Sequence, residues 1–123
     1  MGYRSEVRIA TTKEGYDLMC DFVDAHTKEG EAQLIGRDVK PEIFEKHGGD
    51  VAFGWKRIKW YEEECVDVKN IVDALDALGC DEVPYRLVRV GEDWDDIEVE
   101  GSDVDLSIGV YPVTGIETVK WEV

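Results

Sequence analysis

Residues 51–61, VAFGWKRIKWY, gather two of the four tryptophans, a phenylalanine and a tyrosine into a run without one acidic side chain. Aromatic and β-branched residues suit a pleated, half-buried surface, and period two puts Val51, Phe53 and Trp55 on one face. Ile58 and Trp60 have the opposite parity. Either both faces of this strand are covered, or a bulge near Lys56 and Arg57 turns its second half over. The run predicts a central strand, with Lys56, Arg57 and Lys59 as a secondary candidate face that is basic and interleaved with aromatics.

The remaining segments supply a sheet and two helices to cover it. Residues 6–10 alternate Val7 and Ile9 against Arg8, a short strand. Thr11 to Glu14 has the form of a capping box, opening a helix whose Tyr16, Met19, Cys20 and Val23 recur at helical spacing while Asp17, Asp21 and Asp24 face out, with Gly30 as its stop. Pro41 suits the first turn of a short helix, PEIFEKH, ended by Gly48-Gly49. Asp67 reads as the N-cap of a second amphipathic helix carrying Val68, Ile71, Val72, Leu75 and Leu78, closed by Gly79. Strands follow at residues 85–90, 97–100 with Ile97 and Val99 as the apolar face, 106–111, and after the Thr114-Gly115 turn. Two helices on one face of a mostly antiparallel sheet make an α+β fold, and the closing run of hairpins argues against a doubly wound parallel sheet. With 123 residues and no linker or repeat, the expectation is a single α+β domain over residues 1–123.

Charge is the strongest compositional signal. The chain carries 29 acidic and 14 basic residues, a formal net charge of −15. Residues 1–61 hold 11 acidic and 10 basic side chains, net −1, whereas residues 62–123 hold 18 and 4, net −14. Such a balance repels nucleic acid and anionic membranes and favours basic partners or cations, so direct nucleic-acid or membrane binding is not expected. Cys20, Cys65 and Cys80 are odd in number, widely spaced and without a CxxC pair, which is no zinc signature; they are expected to behave as small hydrophobes in a reducing compartment. No signal-peptide core and no membrane-length apolar window is present, and a cytoplasmic location is expected.

Three ordered blocks, MGYRSEV, FGWKRIKWY and VGEDWDDIEVEG, are carried by this chain. Together they resemble a family of small acidic proteins encoded by bacteriophages and prophages. The resemblance implies a context, an accessory protein in the cytoplasm of a bacterial host, and carries over no catalytic residue. Residues 34–45 and those beyond Asp103 lie outside it.

No nucleophile elbow, phosphate-binding loop, dinucleotide fingerprint or HExxH motif is present, so no enzymatic activity, no cofactor and no catalytic residue is expected. His47, beside two glycines and Asp50, would be the candidate acid or base, and is read as a solvent-exposed helix end. Asp93, Asp95 and Asp96 offer oxygen ligands for a divalent cation but lack the remaining ligand and glycine of a calcium loop, so no metal site is assigned. Asp96, Glu98 and Glu100 alternate on one strand, placing carboxylates about 6.6 Å apart at roughly 3.3 Å per residue, the order of a phosphate ladder. The expected function is thus non-catalytic: protein–protein interaction with a basic host protein through an acidic face of Glu92, Asp93, Asp95, Asp96, Glu98, Glu100 and Asp103. One form of it is a nucleic-acid-mimicking inhibitor of a host DNA-binding or defence protein. The alternatives are a small-ligand or divalent-cation-binding protein, or an acidic surface that serves solubility alone. The oligomeric state and the strand order are open at this level.

Overall fold

The computed structural model describes residues 3–93, 95–113 and 115–122. Its elements are β1 (Ser5–Thr12), α1 (Lys13–His26), β2 (Ile43–His47), β3 (Asp50–Ile58), α2 (Val66–Cys80), β4 (Tyr85–Val90), β5 (Ile97–Gly101), β6 (Ile108–Pro112) and β7 (Ile116–Lys120). All paired strands are antiparallel, giving an α+β fold. A five-stranded sheet has the order β2-β3-β1-β4-β5, and β6-β7 forms a separate two-stranded sheet.

The aromatic segment is interior but not central, because β1 lies between β3 and β4. Arg8 hides this in the sequence: it is only 8 % exposed, donating to Glu6 and Thr118 beneath the hairpin, so its strand looks half-polar while being buried on both faces. Val51, Phe53 and Trp55 do share one buried face. Both explanations for the parity change hold. Ser5 pairs with Ile58 but Val7 with Trp55, so β3 carries an extra residue at Lys56–Arg57. The opposite face of β3 is also covered, since Ala52 belongs to a second buried cluster. Trp60, beyond the strand, returns to pack on Trp55 with ring centroids 5.9 Å apart.

Helices α1 and α2 cover the face bearing Val7, Ile9, Phe53, Trp55 and Leu87, and Tyr16, Met19, Val23, Ile71, Leu75 and Leu78 fill the space between. Hairpin β6-β7 covers the other face, where Ala10, Ala52 and Val88 meet Leu106, Ile108 and Val110. The molecule is therefore three layers deep: helices, sheet, hairpin.

Several local expectations shift. The α1 cap is Thr12, whose hydroxyl accepts from the Gly15 amide at 2.9 Å, while Thr11 donates to the Pro84 carbonyl at 2.8 Å. The helix ends at His26, before Gly30. The N-cap of α2 is Cys65, with Asp67 in the first turn accepting from the Val68 amide at 2.8 Å. Gly79 lies inside the last turn, and the left-handed residue that ends α2 is Glu82, at φ 59°. The Val83 amide bonds the Leu78 carbonyl and the Glu82 amide that of Gly79, the Schellman pattern with a glutamate where glycine is usual.

The short helix expected at PEIFEKH is strand β2. Gly48 and Gly49 have φ of 60° and 85°, the geometry of a two-residue hairpin turn, so they join two strands rather than end a helix. His47 is accordingly a strand end and only half-exposed; its Nε2 meets the Trp121 carbonyl and its own carbonyl accepts from Ser107 Oγ at 2.6 Å. Of the cysteines, Cys20 is buried as a small hydrophobe would be, but Cys80 is exposed at the end of α2. Among the described residues, no helix is long and apolar enough to cross a membrane.

Candidate functional site

Strand β5 is an edge strand: β4 binds one side of it and no described strand binds the other. It carries two faces of different chemistry. Ile97 and Val99 pair with Val90 and Val88 and point to the hairpin side, but the hairpin lies over β1, β3 and β4, leaving them 43 % and 42 % exposed. Glu98 and Glu100 point to the helix side, opposite Arg89 and Leu87.

The acidic residues expected to form one interaction face are not equivalent. Glu92, Asp93, Asp95 and Glu100 are exposed. Asp96 and Glu98 are both gripped by Arg89, at 2.8 and 3.1 Å, and Asp96 also accepts from the Tyr3 hydroxyl at 2.7 Å. The guanidinium, then the phenol, hold the Asp96 carboxyl down at about 2, and the hydrogen bonds that Arg89 donates to Asp96 raise the Arg89 pKa. Glu100 behaves oppositely: although the residue is exposed, partial desolvation of its carboxyl, then Glu98, Glu62 and Asp76, push it above the ordinary range. The expected row Asp96, Glu98, Glu100 is therefore not a ladder of free charges, since its first two members share one cation and keep a single net negative charge between them. Nor is Asp96 free to ligate a cation with Asp93 and Asp95. Asp103 departs furthest: it is 7 % exposed, within the hairpin layer and 3.8 Å from Arg86. Trp94, inside the same loop, lies outside the described residues.

All four cations of residues 62–123 stand in ion pairs, Lys69 with Asp73, Arg86 with Asp103, Arg89 with Asp96 and Glu98, and Lys120 with Glu45. The excess carboxylates of that half therefore have no further cation of their own half to pair with, and they lie on residues 62–64, along α2 and its exit, at the β5 edge and on the hairpin layer. The secondary face, Lys56, Arg57 and Lys59, is exposed where β3 bulges. Lys56 and Arg57 share a small cleft with Arg4, Glu6 and Glu92, so this basic rim adjoins the acidic edge rather than standing apart from it.

The opposite edge holds a groove of about 730 Å³ between α1, the 27–42 loop and β2, lined by Lys13, Tyr16, Arg37, Lys40, Phe44 and Lys46 among others. Asp24 pins the loop by accepting from the Arg37 amide at 3.0 Å and from Gln33, while Asp21 takes Arg37 Nε at 3.0 Å. No sequence motif announced this groove, because its walls come from residues brought together only by the loop's return. Among the described residues no three histidine, cysteine or carboxylate side chains converge as a metal site.

Comparison of the chain with protein-family models, with curated proteins and with solved structures returns no match.

Proposed function

We propose that this is a non-catalytic interaction protein that engages a basic protein partner through the β5 edge, as an accessory protein of phage or prophage origin in the bacterial cytoplasm. The observation that carries the reading is the open strand itself. Ile97–Gly101 offers unpaired backbone groups along one side, an exposed apolar pair, and carboxylates at both ends and on the opposite face. Bare edges of this kind are normally blunted by lysine, proline or a covering segment. Here the flanking charges are acidic, which repels a second copy and favours a cationic strand. A partner strand adds main-chain hydrogen bonds to β5, covers Ile97 and Val99 with its own apolar residues, and meets Glu92, Asp95 and Glu100 with lysine or arginine. The acidic charge speeds encounter and weakens with salt. Imitation of a nucleic-acid backbone, as an inhibitor of a DNA-binding or defence protein, is the narrower form; it draws on Glu100 and the 92–95 loop rather than on the carboxylates that Arg89 holds.

The test is capture of partners from bacterial lysate at low salt with elution at high salt, using two charge-reversed proteins. Glu92→Lys/Asp95→Lys/Glu100→Lys should lose the captured partner, whereas Glu14→Lys/Glu29→Lys/Asp38→Lys, with the same change in net charge, should keep it. Amide exchange in β5 should slow when the purified partner is bound. Equal loss in both proteins, with no slowing at β5, would mean that net charge alone accounts for the binding.

A further inference from the structure

The groove between α1, the 27–42 loop and β2 exists because α1 lies over β1 and β3 and stops short of β2. Phe44 stands opposite Phe53 in the register of β2 with β3, yet Phe53 is fully buried and Phe44 is 38 % exposed. Its ring meets that of Tyr16 edge-on with centroids 5.0 Å apart, and Tyr16 and Cys20, both buried, form the floor. Residues 27–42 contain neither helix nor strand, and a connection that long, beyond about 12–15 residues, is ordinarily either disordered or functional. Here it is pinned. Ile35 is fully buried, the Gly36 amide bonds the Val39 carbonyl at 2.9 Å, and Gln33 donates to the Ile35 carbonyl at 2.9 Å as well as to Asp24. A Cβ at Gly36 would run into the Gln33 and Asp24 side chains, so this wall closes only with glycine there.

The charge of the groove runs against that of the chain. Its lining holds four cations and three carboxylates, in a molecule of formal net charge −15. All three carboxylates are committed: Asp17 to Lys13 at 2.7 Å, Asp21 to Arg37 at 3.0 Å, and Glu42 to the Lys56 amide at 2.8 Å. Lys40 and Lys46 are open to solvent and, among the described residues, have no ion-pair partner. Lys46 Nζ lies 5.7 Å from the centroid of the Phe44 ring, so free charge and exposed ring stand side by side. Burial pushes the Tyr16 phenol and the Cys20 thiol upward, which keeps the floor neutral. From these features we propose that the groove binds a small aromatic phosphomonoester, its ring laid against Phe44 and its phosphate held by Lys40 and Lys46. A phosphomonoester carries about −1.5 to −2 at pH 7, which matches two uncommitted ammonium groups, whereas a carboxylate would leave one of them unmatched. Lysine binds phosphate as a point charge, and its flexible stem needs no fixed fork to reach the anion. The volume, about 730 Å³, falls within the range of about 300–1,000 Å³ of small-molecule sites. The site lies on the opposite edge of the sheet from β5, uses none of its residues, and stands or falls separately.

The probe is phenyl phosphate, titrated into the full chain while the amides of Gly36, Phe44 and Lys46 are followed by NMR, with phenol and inorganic phosphate each carrying one half of it. Phenyl phosphate should give saturable shifts at those amides, and each half should bind at least about tenfold more weakly. Lys40→Gln/Lys46→Gln should weaken phenyl phosphate by about tenfold or more, and since both positions are exposed the amide spectrum should stay that of the folded chain. Lys56→Gln/Lys59→Gln, the same change in net charge at the β3 bulge, should leave binding unaltered. Phe44→Leu should weaken phenyl phosphate but not inorganic phosphate, a difference that loss of folding would not produce. Adenosine monophosphate and N-acetyl-phosphotyrosine amide separate two sources of the same chemistry: tighter binding of the first marks a nucleotide, of the second a phosphorylated side chain. No saturable shift, phenol or inorganic phosphate binding as tightly as phenyl phosphate, or equal weakening by the two double-lysine variants would overturn the proposal.

Discussion

The two faces of the five-stranded sheet are held by different means. The helix face is covered by large apolar side chains: Phe53, Ile9, Met19, Ile71 and Leu75 are fully buried there, and Tyr16 and Trp55 both meet Phe53 edge-on. The hairpin face presents Ala10, Ala52 and Gly54, so β6-β7 lies close over a smaller apolar cluster and is clasped at its rim by polar contacts. Those clasps are Arg8 to Thr118, Ser107 to Asp50, Lys120 to Glu45 and His47 to Trp121. Burial of large side chains scales with the area removed from water, whereas each polar clasp nets about 1 kcal/mol. The helix face should therefore set the global stability, and the hairpin should be the layer that opens first.

The sharpest way to break this comparison is a pair of truncations. Trp55→Ala should cost about 3–5 kcal/mol and lower the denaturation midpoint for every probe. Ile108→Ala, fully buried under the hairpin, should cost about 2–4 kcal/mol of hairpin stability, read as faster amide exchange in β6-β7 with β1 and β3 much less affected. If Ile108→Ala speeds exchange equally in all strands, the layers unfold as one and the contrast fails.

A smaller effect of opposite sign should come from the exit of α2. Glu82 holds a left-handed φ of 59° that glycine adopts without strain, so Glu82→Gly should raise stability by about 0.5–1 kcal/mol. A melting temperature that falls would show that the Glu82 side chain contributes more than its backbone strain removes.

The smallest effects concern pH at the β5 edge, where two neighbouring carboxylates have opposite signs. Asp96 titrates at about 2 in the fold against 3.8 ordinarily, so its contribution is complete above pH 3.8 and is lost as pH falls through about 2. Asp96→Asn should flatten the acid limb of the stability profile over that window. Glu100 is shifted upward, so it favours the fold while protonated and that contribution is lost as pH rises through its titration. Glu100→Gln should leave the acid limb alone and raise the melting temperature slightly at neutral pH, less so in salt. Identical profiles for the two variants would remove the distinction between a paired and an unpaired carboxylate on this strand.

What local sequence determined is the set of elements whose periodicity is read by one face. The spacing of Tyr16, Met19, Cys20 and Val23, and of Val68, Ile71, Leu75 and Leu78, is enough for two amphipathic helices; alternation is enough for β1, β3, β5 and β6, while β4 is read from its β-branched and aromatic residues and β7 from the turn before it. The hairpin β2-β3 was legible too, in Gly48-Gly49 between two alternating runs, but Pro41 favoured a helix start when read alone. The acidic imbalance of residues 62–123 is likewise a property of composition. Tertiary structure decided the rest, because pairing between distant segments leaves no local periodicity. It placed β1 at the centre and laid β6-β7 over the small residues of the sheet. It also turned Asp96 and Glu98 from free charges into partners of Arg89, and drew Asp103 inward beside Trp121. A carboxylate's role depends on which cation or ring the fold brings within a few ångströms, and that neighbour is chosen by strand order and register rather than by the residues beside it in the chain.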